Sequence, residues 1–191
     1  MDRNLYSAIN RFADRTTWAH SLVRFYAKDG VVVFALLLLV GWWFARVSAE
    51  PIRLGAEAIW AGAAALLALA INQSIGSWIA RARPYTVIPH MHLLVDTTKD
   101  FSFPSDHATV AGAVAAGLLL LNRRIGAVAI VAAVAMAFSR VYVGAHYPGD
   151  VLAGLLLGTL VTVGLHGLGK RILRPMLDAL VKTPLRPLFV P

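Results

Sequence analysis

Five apolar stretches constrain this chain more than any other feature. They lie at about residues 31–47, 56–79, 107–121, 125–143 and 150–168, each near the roughly 20 residues a helix needs to cross a bilayer. The third is the shortest, so its start is expected to reach back to about residue 105. Hydrophobic residues make up 58% of the chain and charged residues 15%, with a mean hydropathy of +0.66. A soluble domain has about 45–50% apolar and about 25% charged residues. The expected fold is therefore an all-α integral membrane bundle in one domain, with a membrane core over 29–168.

The flanks differ in character. Over residues 1–28, Leu5, Ile9, Phe12, Ala19, Leu22 and Phe25 recur at helical spacing among Arg3, Arg11, Asp14, Arg15 and Arg24, which predicts an amphipathic helix or two on the membrane surface. It does not read as a signal peptide, because the apolar core starts too late and no cleavage signal follows. The tail, 169–191, is basic and carries Pro175, Pro184, Pro187 and Pro191, so it is expected to finish without regular structure. The chain has no Cys, which excludes a disulfide framework and a Cys-ligated zinc site. Its net charge of +8 sits on loops between apolar spans. Nucleic-acid binding would need a soluble basic face, so the charge is read as setting orientation.

Counting crossings places three polar groups on one side of the membrane: Arg81–Arg83, Ser105–His107 and Arg140–Asp150. The other side receives Arg46, Arg53, Arg123, Arg124, Lys170, Arg171, Arg174, Lys182 and Arg186, which marks it as cytoplasmic. The polar cluster then faces outward, together with the N-terminal helix, although that helix is itself basic.

Ionisable groups beside membrane spans are costly, so several that converge point to function. Arg81, Arg83 and Arg140 are forked, permanent cations suited to phosphate oxygens. His107 and His146 are imidazoles that can serve as nucleophile, acid or base. Asp150, four residues after His146 with Pro148 opening the helix between them, is placed to accept a ring N–H and fix the tautomer. Ser105 falls where a helix begins, as either a cap or an anion ligand. Cations, amide donors and two histidines with no metal-ligand pattern point to phosphoryl transfer through a phosphohistidine.

The spacing resembles a known family. Ser139-Arg140, five residues, His146, three residues, Asp150 is similar to the third signature of the phosphatidic acid phosphatase type 2 superfamily. Pro104-Ser105-Asp106-His107 resembles its second signature and Arg83-Pro84 the end of its first. The blocks MDRNLYSAINRFA, SFPSDH, FSRVYVGAHYPGDVL and ILRPMLDALV resemble the bacitracin-resistance branch, the undecaprenyl-diphosphate phosphatases. The resemblance implies a helical membrane phosphatase of the bacterial cell membrane that acts on a polyprenyl diphosphate and regenerates the carrier lipid for cell-wall synthesis. Bacitracin resistance would follow, since the drug sequesters the diphosphate. It further implies His146 as nucleophile, Asp150 as its orienting partner, His107 as acid and then base, and Arg83, Arg140 and Ser105 as holders of the phosphoryl oxygens.

Two positions depart from that family's pattern. Gly76 stands where the first signature opens with Lys, leaving Arg81 as a candidate replacement. Asp106 stands in place of Gly, and is expected to pair with an arginine or to favour the helix N-terminus. Arg81 also has a plainer reading as an interfacial snorkelling residue. His90-Met-His92 has metal-like spacing but reads as an ordinary loop, and Gly154-x-x-x-Gly158 reads as close helix packing. Rival functions are a phosphatase of another lipid phosphate, such as phosphatidic acid or phosphatidylglycerol phosphate, and a non-catalytic lipid-binding protein.

Overall fold

The computed structural model describes residues 2–89 and 91–191. Helices α1 (Asp2–Arg15) and α2 (His20–Asp29) form the N-terminal arm, and α3 (Val31–Arg46) follows after Gly30. The long α4 (Pro51–Ile79) and the single-turn α5 (Pro84–Val87) lead into an irregular stretch, from which α6 (Asp106–Leu121) and α7 (Arg123–Tyr142) emerge. The chain closes with α8 (Pro148–Gly164) and α9 (His166–Leu180). The five apolar stretches thus coincide with α3, α4, α6, α7 and α8. By length and composition the α4–α5 segment and α7 can each cross a membrane, and α8–α9, bent by 55°, can count as a third.

Local chemistry sets the helix ends. Pro occupies the first turn of α4 and of α8, where its missing N–H costs nothing. Asn122 caps α7 by accepting from the Arg124 and Ile125 N–H groups. Ala80 ends α4 in the left-handed conformation, φ 51, a placement that costs a residue with a Cβ about 1–2 kcal/mol. That turn sends Arg81 and Arg83 back over the bundle end.

Helix α6 is the central element and packs along α4, α7 and α8. Without a hydrophobic driving force between helices in lipid, close backbone approach supplies the packing. Gly154 and Gly158 provide it between α8 and α6. A Cβ on Gly158 would stand 2.1 Å from the Thr109 carbonyl oxygen, and one on Gly154 2.6 Å from that of Ser105. This fits the packing role expected of the pair, and it locks the starts of α6 and α8 side by side.

The tail begins as a helix. Helix α9 continues through Pro175 to Leu180 because Gly169, Leu173 and Leu177 recur on one face and are buried against α4 and its neighbours. The start of α9 is further tied down by His166, whose Nε2 lies 2.6 Å from the buried Glu57 carboxylate of α4.

Candidate active site

The ends of α4 and α7 and the starts of α6 and α8 meet at one end of the bundle, and the residues nominated from the sequence meet there with them. His146 is almost fully buried and lies on the turn between α7 and α8. Its Nδ1 is 2.7 Å from the Ser102 carbonyl oxygen. A carbonyl can only accept, so Nδ1 carries the proton and Nε2 keeps its lone pair. That Nε2 sits 3.1 Å from Nη1 of Arg83. Burial is the main influence on the ring and holds its pKa below the ordinary 6.5, with Arg140 and Arg83 adding to it and Asp150 opposing.

Asp150 was expected to accept a hydrogen bond from the ring N–H directly, and the structure puts a residue between them. Its Oδ2 is 3.8 Å from Nδ1, too far for a hydrogen bond. Instead Oδ2 accepts from Ser102 Oγ at 2.5 Å and from the Tyr147 N–H at 2.9 Å, while Oδ1 accepts from Arg81 at 2.5 Å. Ser102 therefore faces both ways, its hydroxyl on Asp150 and its carbonyl on His146. The sequence reading missed Ser102, because its part is played by the backbone as much as by the side chain.

Ser105 and Arg140 are buried with polar atoms to spare. Ser105 is the N-cap residue of α6, yet its hydroxyl makes no capping bond. Its Oγ and the Arg140 Nε are buried side-chain atoms without a hydrogen-bond partner, a costly condition for a donor. Arg140 is steadied by Nη1, which donates to the Ala27 carbonyl at the end of α2 at 2.7 Å. His107, in the first turn of α6, is half-buried and within electrostatic range of Arg140, His146 and Arg83.

Arg83 has all three side-chain nitrogens engaged. Besides His146 it donates to the Ala145 carbonyl, and its Nε and Nη2 go to the backbone oxygen and carboxylate of Asp100, the latter at 2.8 Å. Burial would raise the Asp100 carboxyl, but bonds from Thr98 and the Arg83 charge outweigh it and hold the pKa below its ordinary value. An incoming phosphoryl group must displace Asp100 to reach Arg83. The pair is half-exposed on the Asp100 side, which limits its worth to about 1 kcal/mol. Asp100→Asn is therefore expected to lower KM up to about fivefold with kcat little changed. Steady-state kinetics, with inorganic phosphate as competitive inhibitor, check this; an unchanged KM and phosphate inhibition constant would rule out the competition.

The two departures from the family pattern have structural consequences. Asp106 does not pair with an arginine. Its Oδ1 accepts from Asn72 Nδ2 at 2.5 Å and Gln73 Nε2 at 2.9 Å, both on α4. Asn72 in turn accepts from Thr109, so Asp106 fastens α6 to α4. Nor is Arg81 a free replacement for the missing Lys: its two terminal nitrogens go to Asp150 and to Asp2, at 2.5 and 2.6 Å. Gly76 packs under the loop, with a Cβ there 3.3 Å from the Phe103 carbonyl oxygen. Gly76, Asp100 and Asp106 line one cleft of about 370 Å³ beside the site. Of the His-x-His pair, His90 lies outside the described residues, and His92 is tied to α1 through Asn10 and Asp14.

Imidazoles, guanidiniums and buried hydroxyls gathered at the end of an apolar helical bundle make up the equipment of a membrane phosphatase. The sequence profile of the PAP2 superfamily matches residues 57–173. Undecaprenyl-diphosphatase BcrC of Bacillus subtilis is 31% identical over 182 residues, covering 95% of this chain and 91% of that protein. Putative undecaprenyl-diphosphatase YbjG of Escherichia coli is 34% identical over 159 residues, 83% of this chain and 77% of that one. The crystal structure of Aquifex aeolicus LpxE shares the fold with a TM-score of 0.69 at 22% identity, covering 87% of this chain and 94% of that one. The chain belongs to the PAP2 superfamily and is a membrane hydrolase of that family.

Proposed function

We propose that the protein hydrolyses the terminal phosphate of undecaprenyl diphosphate, or of a related polyprenyl diphosphate, at the outer face of the bacterial cell membrane. The observation that carries the chemistry is the pairing of a buried His146 lone pair beside Arg83 with two unpartnered buried groups, Ser105 Oγ and Arg140 Nε. His146 Nε2 attacks the terminal phosphorus and forms a P–N bond as the P–O bond to the bridging oxygen breaks. His107 gives its proton to the departing polyprenyl phosphate, then takes one from water as that water attacks phosphorus. The P–N bond breaks, inorganic phosphate leaves, and both rings return to their starting forms. Arg83, Arg140 and Ser105 hold the equatorial oxygens as charge spreads over them. The lipid substrate is supported by similarity to the two undecaprenyl-diphosphatases over most of the chain. The outward orientation is supported by the basic residues gathered at the opposite ends of the helices.

Phosphate release by the purified protein, without added metal, from undecaprenyl diphosphate and from phosphatidic acid tests the substrate. A kcat/KM at least about tenfold higher on the diphosphate, about 1.4 kcal/mol in transition-state binding, is expected. Turnover confined to phosphatidic acid would overturn the assignment while leaving the chemistry intact.

A further inference from the structure

The network around Asp150 does not end at Arg81. Asp2, in the first turn of α1, places Oδ2 2.6 Å from Arg81 Nη2 and accepts the Gly149 N–H, at the start of α8, on Oδ1 at 2.8 Å. The Arg81 guanidinium is thus held between two carboxylates, and it lies over the Tyr147 ring at 4.0 Å. Tyr6, also on α1, packs its ring 5.5 Å from that of Tyr147. Gly149 allows the approach, since a Cβ there would stand 3.1 Å from Asp2 Oδ2. None of the three signature stretches contains Asp2.

We propose that Asp2 is a positioning residue for phosphoryl transfer, and that the N-terminal helix thereby completes the catalytic site. The argument is one of charge. An arginine facing Asp150 alone would cancel it, whereas two carboxylates around one guanidinium leave the trio with a net negative charge. That charge reaches His146 through Ser102, whose hydroxyl is on Asp150 and whose carbonyl holds the ring N–H. The ring becomes cationic as it takes the phosphoryl group, so the benefit arises in the transition state and the intermediate. Asp2 also fixes where Arg81 points, and so keeps it on Asp150 and away from the phosphoryl oxygens.

The inference rests on His146 as the nucleophile, and the experiment separates the two. Wild type, Asp2→Asn, Asp2→Glu, Gly149→Ala and His146→Ala are purified, and kcat, KM and the single-turnover rate of phosphoenzyme formation are measured on undecaprenyl diphosphate. Asp2→Asn is expected to lower kcat and phosphoenzyme formation about five- to tenfold, the scale of coupling between contacting charged groups, with KM within about twofold. Asp2→Glu is expected to restore most of the loss. Gly149→Ala displaces the carboxylate without removing it and is expected to reproduce the kcat defect, which keeps the test open if Asp2→Asn folds poorly. The proposal is overturned if Asp2→Asn and Gly149→Ala turn over like wild type. It is equally overturned if Asp2→Glu is no better than Asp2→Asn and both lose only thermal stability. An active His146→Ala protein would instead remove the nucleophile assignment itself.

Discussion

The His146→Ala protein is expected to release phosphate from undecaprenyl diphosphate no faster than the lipid hydrolyses unaided, a loss of at least about a thousandfold. The expectation follows from the ring's commitments. Nδ1 donates a hydrogen bond to the Ser102 carbonyl, which puts the ring's one lone pair on Nε2, where it accepts from Arg83. The same burial that shields the ring sets a pH signature. Because the folded pKa lies below 6.5, the nucleophile stays neutral as pH falls past 6.5, and its share of kcat/KM is lost only when pH falls through the lowered value. The stability consequence has the opposite appearance. The unfolded chain takes up a proton at pH 6.5 that the native ring refuses, so native stability declines as pH drops below that point. Protein quenched in alkaline detergent should carry alkali-stable, acid-labile phosphate in wild type and none in His146→Ala. A variant that retains turnover, or retains the labile phosphate, would exclude His146 as nucleophile.

The parts of the molecule that could be read from the sequence are those governed by local periodicity. Apolar run length gave the five core helices to within a few residues, and counting crossings brought Arg83, Ser105, Arg140 and His146 to one end. The misreadings occurred where a tertiary neighbour decides a side chain's partner. Asp106 was expected to pair with an arginine or to sit at the helix N-terminus; it does lie in the first turn of α6, but its carboxylate is taken by Asn72 and Gln73 of α4. Arg81 was weighed as a phosphate ligand or a snorkelling residue, and it bridges two carboxylates because the left-handed turn at Ala80 redirects it. Ser102 and Asp100 carried no signal, since one works through its carbonyl and the other sits in a loop without a pattern. Asp2 was hidden for another reason: it belongs to an arm whose amphipathic periodicity fully explains its sequence without reference to the site. A polar residue on such a helix is ordinarily solvated, and only contact with α8 gives it a different meaning.

Replacing His107 should divide the reaction into its two halves. In the proposed mechanism His107 serves twice, first protonating a departing phosphate oxygen and then removing a proton from water. The second task is the harder one, because a phosphate leaving group departs readily while neutral water is a poor nucleophile. His107→Ala is therefore expected to cut steady-state turnover about 10²- to 10⁴-fold, the usual value of a positioned acid–base group, while His146 continues to accept the phosphoryl group. Phosphoenzyme should accumulate where the wild-type protein shows little. With p-nitrophenyl phosphate, whose leaving phenolate needs no proton, a burst of about one nitrophenolate per protein should precede the stalled phase. The location of His107 supports this division, since the first turn of α6 sets it among Arg140, His146 and Arg83 without a place in the Ser102–Asp150 network that holds the nucleophile. Loss of the burst together with turnover would mean that His107 is needed to form the phosphoenzyme as well as to break it down. A His107→Ala protein with wild-type turnover would remove it from the reaction altogether.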